Sequence, residues 1–218
     1  MARLLDERWS CRAFRPEPLP QALIEHLLQL AQRTASWCNT QPWRITVTSG
    51  SGTVRFRQAM QAAARSQTPQ SDIPFPPGYQ GVHLARRRES GYQLYDAVGV
   101  PKGDRAAGQA QALRNFDFFD APHVLVLTVP RELGPYALLD GGAWVGNFLL
   151  AAQAHGLGAI PQAALASHSP AVRSHFGLPE DELVACGISF GRADTEHPAN
   201  GYRTTRAPLA ESVRWVTD

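Results

Sequence analysis

The chain has 218 residues, of which 44% are hydrophobic and 18% are charged, and its net charge is +2. This hydrophobic content excludes disorder as a description of the whole chain, and the length suits one domain with a sizeable core. The balanced charge excludes a nucleic-acid binder that works by neutralising phosphates. Because charged residues make up about 25% of a typical soluble domain, the low charged fraction predicts that a partner subunit or a bound cofactor covers part of the surface.

Cysteine usage and the N-terminus bear on the compartment. Cys11, Cys38 and Cys186 form no CxxC pair, which is typical of a reducing cytoplasm and argues against a disulfide framework or a structural zinc site. The N-terminus reaches Asp6 and Glu7 before an apolar segment can form, so it is unlike a signal peptide. No stretch approaches the roughly 18 apolar residues of a membrane span. We therefore expect a cytoplasmic protein that contacts no membrane and holds no metal.

The first half of the chain predicts short elements separated by irregular segments. Apolar residues at helical spacing predict a helix over about 20–33. Polar and turn-forming residues of the segment 36–43 end this pattern, and β-branched residues then predict a strand over 45–48. Residues 67–81, rich in Pro, Gly, Ser and Gln, predict a functional or interface loop. Further helices are expected at about 54–65, around Arg86–Tyr95, and at 106–115.

The second half contains the most apolar segments. Residues 124–129 form a continuous apolar run, which predicts a central strand buried on both faces, and 183–190 predicts a second. Residues 141–155 predict a helix that is apolar on nearly every side, buried within something larger and ended by Gly156 or Gly158. A short helix is expected near 170–176, and the extended tail 194–218 contains a strand-like stretch at 212–216.

The sequence lacks the motifs of dinucleotide-binding, phosphate-loop or zinc-dependent catalysis. It contains no GxGxxG, Walker or HExxH pattern. Its histidines are dispersed, and we interpret them as surface or capping residues rather than ligands. An enzyme with this sequence would take its chemistry from an organic cofactor.

Three polar segments are candidates for holding such a cofactor. Arg8, Ser10 and Arg12 alternate, so an extended backbone points them the same way, and guanidinium groups with a hydroxyl suit a phosphate. The loop Ser36–Trp43 carries amide and hydroxyl groups for a polar heterocycle, and Arg203–Pro208 is a second candidate phosphate clamp. Taken singly, the first and third also fit a solvated basic terminus and an exposed tail.

Taken together, these segments resemble the FMN-dependent nitroreductase family. The match to Ser-x-x-Asn-[Ser/Thr]-Gln-Pro-Trp at Ser36–Trp43 is the most specific, and the matches follow the family order over about residues 8–210. The matching segments are Arg8-x-Ser-x-Arg-x-Phe14, Ser36–Trp43, Gly146–Ala152 followed by Gly156-Leu-Gly158, Leu178–Glu182 followed by Gly187–Gly191, and Arg206-Ala-Pro-Leu209.

Within the family, the segments 91–95 and 114–122 resemble the branch associated with nitrobenzoate-type substrates. Two features depart from the pattern. Trp37 and Cys38 replace small residues that are common in the loop beside the flavin. Pro161–Ala164 has no acidic residue where some members present a Glu near the flavin and nicotinamide, so that contact is not expected here.

The resemblance implies an α+β fold, a three-layer α/β/α sandwich with a mainly antiparallel central sheet that forms an intertwined homodimer. Residues 1–218 would form a single FMN-binding domain whose segment from about 195 to 218 extends onto the partner subunit. The apolar helix near 141–155 would pack at the interface, and FMN would lie there too.

The resemblance also implies roles for individual residues. Arg8, Ser10 and Arg206 would hold the FMN phosphate, with Arg203 in support. Arg12 would stabilise the flavin N1–O2 edge, where negative charge accumulates on reduction. A second group would orient the ring and the ribityl chain: Ser36, Asn39 and Gln41.

No catalytic side chain is needed in this scheme. NADH or NADPH would deliver hydride to flavin N5, leave, and be replaced by a small aromatic acceptor, a nitroaromatic or a quinone, in a ping-pong cycle. Two alternatives stay open: another flavin chemistry on this fold (dehalogenation, azoline oxidation or flavin fragmentation), and a non-enzymatic flavin-binding protein. Arg86–Arg88 has two interpretations as well, a solvated helix face or a partner for a substrate carboxylate.

Overall fold

The computed structural model describes residues 1–217, in which eight α-helices and four β-strands occur. The helices predicted from the sequence and the strands expected near 45–48, 124–129 and 183–190 are confirmed, whereas α1, β3 and α7 were not predicted. The helices are α1 (Ala2–Glu7), α2 (Gln21–Ala31), α3 (Ser51–Ser66), α4 (Gly81–Ala97), α5 (Arg105–Leu113), α6 (Gly134–Ala154), α7 (Ala163–Ala166) and α8 (Ser169–Phe176); the strands are β1 (Arg44–Thr48), β2 (His123–Pro130), β3 (Gly158–Gln162) and β4 (Glu182–Gly191).

The strands form one antiparallel sheet in the order β1-β2-β4-β3. Val126 of the central strand β2 lies opposite Thr46 on one side and Gly187 on the other. Residues 123–129 of β2 are all buried, which confirms the expectation of a strand covered on both faces.

Helices cover both faces of the sheet. Leu125 and Leu127 belong to a core cluster shared with α2 and α6, whereas Val124 and Val126 belong to a second cluster shared with α3, α7 and α8. Alternate residues of one strand therefore enter opposite cores, as the two-residue repeat of a strand requires. The expected three-layer α/β/α sandwich is confirmed.

The long helix α6 is buried on one side only. Trp144, Phe148 and Ala152 are buried against the sheet, and Gly156, at φ 68°, follows the end of the helix in the left-handed region that favours glycine. The opposite side is open, because Leu139 is 67% exposed. The expectation of burial on nearly every side is therefore wrong for one chain.

The C-terminal segment is extended and turns twice. Short 3₁₀ turns occur at Pro198–Asn200 and Leu209–Glu211. The strand expected at 212–216 is wrong for one chain, because no strand of the described residues lies beside this stretch to pair with it. The ion pair between Arg86 of α4 and Glu211, at 2.6 Å, joins the segment to the body.

Over residues 1–217, no helix is both long and apolar enough to cross a bilayer. The three cysteines are free thiols. No grouping of His, Cys, Asp and Glu side chains suited to a metal ion occurs in the same described range.

Candidate functional site

A cavity of about 390 Å³ lies where the N-terminal and C-terminal segments meet beside α4. We call it the arginine cavity. The residues that line it include five candidates singled out from the sequence, which are Arg8, Ser10, Arg12, Arg203 and Arg206. Arg12 and Arg203 are 191 positions apart in the chain, so the fold, not local sequence, brings the two groups together.

The N-terminal side of the cavity is an extended segment along the edge of β3. Ser10 forms a parallel bridge with Ala159, and the N–H of Cys11 donates to the Ala159 carbonyl at 3.2 Å. Cys11 is fully buried, so its neighbours on either side point outward, as the alternation of an extended strand predicts. A Cβ on Gly158 would lie 2.8 Å from the Cys11 sulfur, so this close approach requires glycine.

Hydrogen bonds and aromatic rings hold the C-terminal arginines in place. The Arg203 guanidinium lies over the Trp9 ring at 4.4 Å and donates to the carbonyl oxygens of Asn200 and Tyr202 at 2.8 and 2.7 Å. Arg206 donates to the Thr205 carbonyl at 2.7 Å. These contacts are to uncharged oxygens, and although Asp6 also lines the cavity, no carboxylate of residues 1–217 lies within ion-pair distance of Arg203 or Arg206.

The arginine cavity is strongly cationic for this reason. Among residues 1–217, none of its four arginines forms an ion pair with an acidic side chain. Burial, and next the positive charge of Arg206, lower the pKa of Arg8 from its ordinary value. A bound anion stabilises an arrangement that holds like charges close together. The guanidinium groups and the Ser10 hydroxyl can donate hydrogen bonds to the oxygens of a phosphate group.

The loop Ser36–Trp43 is built differently, because its polar groups bond to one another. The Ser36 hydroxyl oxygen accepts from the Gln41 N–H at 2.9 Å, and the Gln41 side-chain amide donates to the Asn39 side-chain oxygen at 3.2 Å. Cys38, Asn39 and Gln41 have positive φ values of 51°, 55° and 49°. These side chains bridge a tightly folded loop of strained backbone.

The loop rests on α6, not on the arginine cavity. The Trp37 N–H donates to the Asp140 carboxylate at 3.1 Å, and the Trp37 ring lies 4.6 Å from the Tyr136 ring. Trp37 remains 61% exposed. In one chain, therefore, Ser36, Asn39 and Gln41 are not brought to the cavity that the five other candidate residues line.

Gln162 lies in the segment Pro161–Ala164, where the sequence has no acidic residue, and its side chain forms hydrogen bonds inside the protein. It is 2% exposed. Its side-chain oxygen accepts from the Ser189 hydroxyl at 2.5 Å, and its side-chain nitrogen donates to the Asn115 carbonyl at 2.9 Å. Gln162 thus joins β3, β4 and the end of α5 and offers no group to a ligand.

A second cavity of about 740 Å³ lies between α4 and the C-terminal segment, beside the arginine cavity, with which it shares Ser90, Thr204 and Arg206. Arg86 lines it and is already paired with Glu211. The Arg87 guanidinium lies over the Tyr79 ring at 5.3 Å. A substrate carboxylate would have to compete with Glu211 for Arg86.

Sequence reasoning missed several residues of the arginine cavity. Trp9 and Tyr202 provide the aromatic surfaces beside Arg203 and Arg12, and Ser90 extends from α4. Asn200 accepts a hydrogen bond from the Arg12 N–H at 2.8 Å. Its local sequence Pro-Ala-Asn-Gly has the composition of an ordinary turn, so only the proximity of two arginine-containing segments signals this role.

The fold and the arginine cavity define an α+β protein with a cationic cavity whose donors suit an anion. The model of the Nitroreductase family matches residues 5–192, and this chain belongs to that family. Nitroreductase NfnB of Mycolicibacterium smegmatis is 35% identical over 98% of this chain and 91% of that protein. A 4-nitrobenzoate reductase of a Nocardioides species is 32% identical over 97% and 87%.

Solved structures show the same architecture. The FMN-dependent nitroreductase NfnB from Mycobacterium smegmatis, crystallised with NADPH, superposes with a TM-score of 0.94 at 34% identity and covers 99% of this chain and 97% of that one. An FMN- and NADPH-dependent NfnB from the sphigopyxis strain HMH also has a TM-score of 0.94, at 31% identity, and covers 100% and 99%. The nitroreductase fold expected from the sequence is thereby confirmed.

Proposed function

We propose that this protein is an FMN-dependent NAD(P)H oxidoreductase that reduces nitroaromatics or quinones. The observation that carries the proposal is the convergence of Arg8, Ser10, Arg12, Arg203 and Arg206 on one cavity without acidic partners. Family membership and relatives named for nitroreduction support it. The working unit is one FMN-binding domain spanning the chain, and its compartment is the cytoplasm.

The donor set fits the phosphate end of FMN. Arg8, Ser10 and Arg206 bind the phosphate oxygens, and Arg203, fixed on the Trp9 ring, supplies further positive charge. When bound, FMN supplies the redox chemistry, taking hydride from NADH or NADPH and passing electrons to the acceptor. The protein would bind FMN, orient it and shield it from water.

Arg12 acts on the electrostatics of the flavin edge. Its guanidinium donates to the Ser10 carbonyl at 3.1 Å and lies 5.8 Å from the centre of the Tyr202 ring. A cation fixed in this way stabilises negative charge that develops at N1–O2, since little reorganisation is needed when the charge appears. Proton donation by a side chain is not required of this chain.

A homodimer completes the site. The loop that carries Ser36, Asn39 and Gln41 rests on α6, away from the arginine cavity of its own chain. We infer that these side chains orient the ring and ribityl chain of the flavin that the partner subunit binds. The exposed side of α6, which includes Leu139, provides the interface. The segment from about 195 to 218 extends onto the partner subunit.

The acceptor is a small flat electron-poor ring. The segments 91–95 and 114–122 favour the nitrobenzoate-type branch, and two proteins named 4-nitrobenzoate reductase are relatives at 32% and 29% identity. A carboxylate on that ring would reach Arg86 only by displacing Glu211 from its 2.6 Å contact.

Absorbance spectroscopy of the purified protein tests the proposal. Flavin bands near roughly 370 and 450 nm should bleach on anaerobic addition of NADH or NADPH and return when 4-nitrobenzoate is added. The rate with each nucleotide identifies the preferred donor. A colourless protein that takes up no FMN would contradict the proposal, and bands that neither nucleotide bleaches would instead identify a flavin-binding protein with another role.

A further inference from the structure

Asn200 joins the two chain segments that form the arginine cavity without itself lining that cavity. It is the last residue of the 3₁₀ turn Pro198–Asn200 and is 4% exposed. Its side chain contacts the N-terminal segment 188 positions away, and its main-chain carbonyl contacts Arg203. Asn200 is therefore a buried polar residue that is hydrogen-bonded to both of the segments that form the cavity.

Every hydrogen-bonding group of the Asn200 side chain is used. Its oxygen accepts from the Arg12 N–H at 2.8 Å, and its nitrogen donates to the carbonyl oxygens of Ala13 at 2.9 Å and Asp194 at 2.7 Å. One acceptor and two donors on a short side chain are the groups of asparagine. Its truncation would leave three main-chain groups without this partner, one in a buried and two in partly buried hydrogen bonds, and such losses are costly.

The main chain of Asn200 holds the other side of the cavity. Its carbonyl accepts from the Arg203 guanidinium at 2.8 Å, and that guanidinium then lies 4.4 Å from the Trp9 ring. His197 stabilises the turn from behind, because its ring nitrogen accepts from the Ala199 N–H at 3.1 Å. One buried residue thus fixes the backbone at Arg12 and the side chain of Arg203.

We propose that Asn200 is a positioning residue that sets where Arg12 and Arg203 stand relative to a bound anionic cofactor. The inference rests on the proposed function, in which these arginines face FMN. It goes beyond that function because Asn200 touches no ligand and acts through two other residues. A merely structural asparagine would affect unfolding without a specific effect on the flavin.

The first experiment compares Asn200→Ala with the wild-type dimer by flavin fluorescence quenching, redox titration and thermal unfolding. The FMN Kd should rise about tenfold, and the flavin midpoint potential should become more negative because Arg12 is displaced from the reduced edge. Asn200→Asp serves as a second variant should the alanine variant not fold. Asn200→Asp keeps the acceptor for the Arg12 N–H but places a carboxylate oxygen against the Ala13 and Asp194 carbonyls. We therefore expect the FMN Kd and the midpoint potential to change in the same direction as in Asn200→Ala.

Thr53→Val is the matched control. Thr53 is 1% exposed and donates from its hydroxyl to the Pro122 carbonyl at 3.0 Å, on α3 and outside the arginine cavity. Its loss should lower the Tm while the FMN Kd and the midpoint potential stay at wild-type values. Asn200 variants that lower the Tm but leave Kd and potential unchanged would overturn the proposal.

A double-mutant cycle separates positioning from general destabilisation. In an Arg12→Ala/Arg203→Ala background, Asn200→Ala should change the FMN Kd less than about twofold, because the residues it positions are gone. An equal effect in both backgrounds would refute the positioning role.

A wild-type protein that binds no FMN would refute the proposed function, not this inference. Inorganic phosphate then replaces FMN as the probe, with the Tm shift as readout. Phosphate should raise the Tm of the wild type and of Thr53→Val more than that of Asn200→Ala. Equal shifts, or none in the wild type, would overturn the role of Asn200.

Discussion

The arginine cavity and the loop Ser36–Trp43 were both singled out by their sequences, yet the fold treats them in opposite ways. The cavity is made by segments far apart in the chain and gathers charges that lack acidic partners. The loop is local, and Ser36, Asn39 and Gln41 bond to one another on the surface of α6. The positive charges of the cavity would be stabilised by a bound anion, whereas the polar groups of the loop are already hydrogen-bonded to one another. In the proposed dimer, each chain would supply the cavity of one site and the loop of the other.

The largest expected effect comes from the cavity half. Arg206→Ala should raise the FMN Kd about 100-fold, because a hydrogen bond from guanidinium to phosphate contributes about 2–3 kcal/mol. Riboflavin, which lacks the phosphate, should bind the variant and the wild type with similar affinity. Flavin fluorescence titration measures both.

Arg55→Ala is the control for Arg206, since Arg55 is an exposed arginine on α3 that donates to the Ser51 hydroxyl. It should leave the FMN Kd unchanged. Equal weakening of FMN and riboflavin by Arg206→Ala would place Arg206 away from the phosphate.

Subunit mixing tests whether the two halves belong to different chains. A cavity variant (Arg8→Ala/Arg206→Ala) and a loop variant (Asn39→Ala/Gln41→Ala) should each bind little FMN. Refolded together in equal amounts, they should recover about a quarter of the wild-type sites, because half of the dimers are mixed and each mixed dimer has one intact site. If both halves of a site came from one chain, mixing would restore nothing.

Thiol labelling at pH 8 gives a smaller effect on the same question. Cys38 in the loop is exposed, whereas burial raises the pKa values of Cys11 and Cys186 to about 12. One thiol per chain should therefore react quickly, and Cys38→Ser should abolish that phase. FMN should slow the reaction of Cys38 by about tenfold by covering it. Equal rates of Cys38 labelling with and without bound FMN would show that the loop does not contact the flavin.

The smallest effect concerns the fold that carries both halves. His123 is buried with its ring nitrogen accepting from the Leu19 N–H at 2.8 Å, and burial lowers its pKa. As the pH falls below about 6.5, the unfolded chain takes up this proton before the folded chain does, so stability falls by up to about 1.4 kcal/mol per pH unit. Thermal unfolding between pH 7 and pH 5 should show this loss.

The variant His123→Gln should reduce that pH dependence, because the glutamine has no proton to take up, whereas burial also lowers the pKa values of His168 and His175, which remain. The exposed His83 provides the comparison, and His83→Gln should leave the slope as it is. A wild-type Tm that does not fall between pH 7 and pH 5 would contradict the assignment of His123.

The sequence predicted most of the sandwich because its central elements are strongly apolar. It missed β3, whose sequence Gly-Ala-Ile-Pro-Gln contains a proline and one β-branched residue. Such a strand exists because it lies at the side of the sheet, where proline is tolerated and β4 supplies the pairing. The prediction of a strand at 212–216 was wrong for the converse reason, since residues that favour β-structure form a strand only where another strand can pair with them.

For the site, alternation in an extended segment sufficed to predict that Arg8, Ser10 and Arg12 would share a face. The family motif added Arg206, and the cavity confirms that these residues meet. Asn200 could not be found in this way, because its partners are 188 positions away and its own surroundings read as a turn. Hydrogen-bond geometry over such separations comes from the fold alone.

The outer side of β1 has a further consequence. Within residues 1–217, β1 pairs with β2 on one side and with no strand on the other. An uncovered strand edge is a template for any extended chain and a starting point for aggregation. High protein concentration should therefore favour association of chains through this edge of β1, which light scattering at increasing concentration would detect.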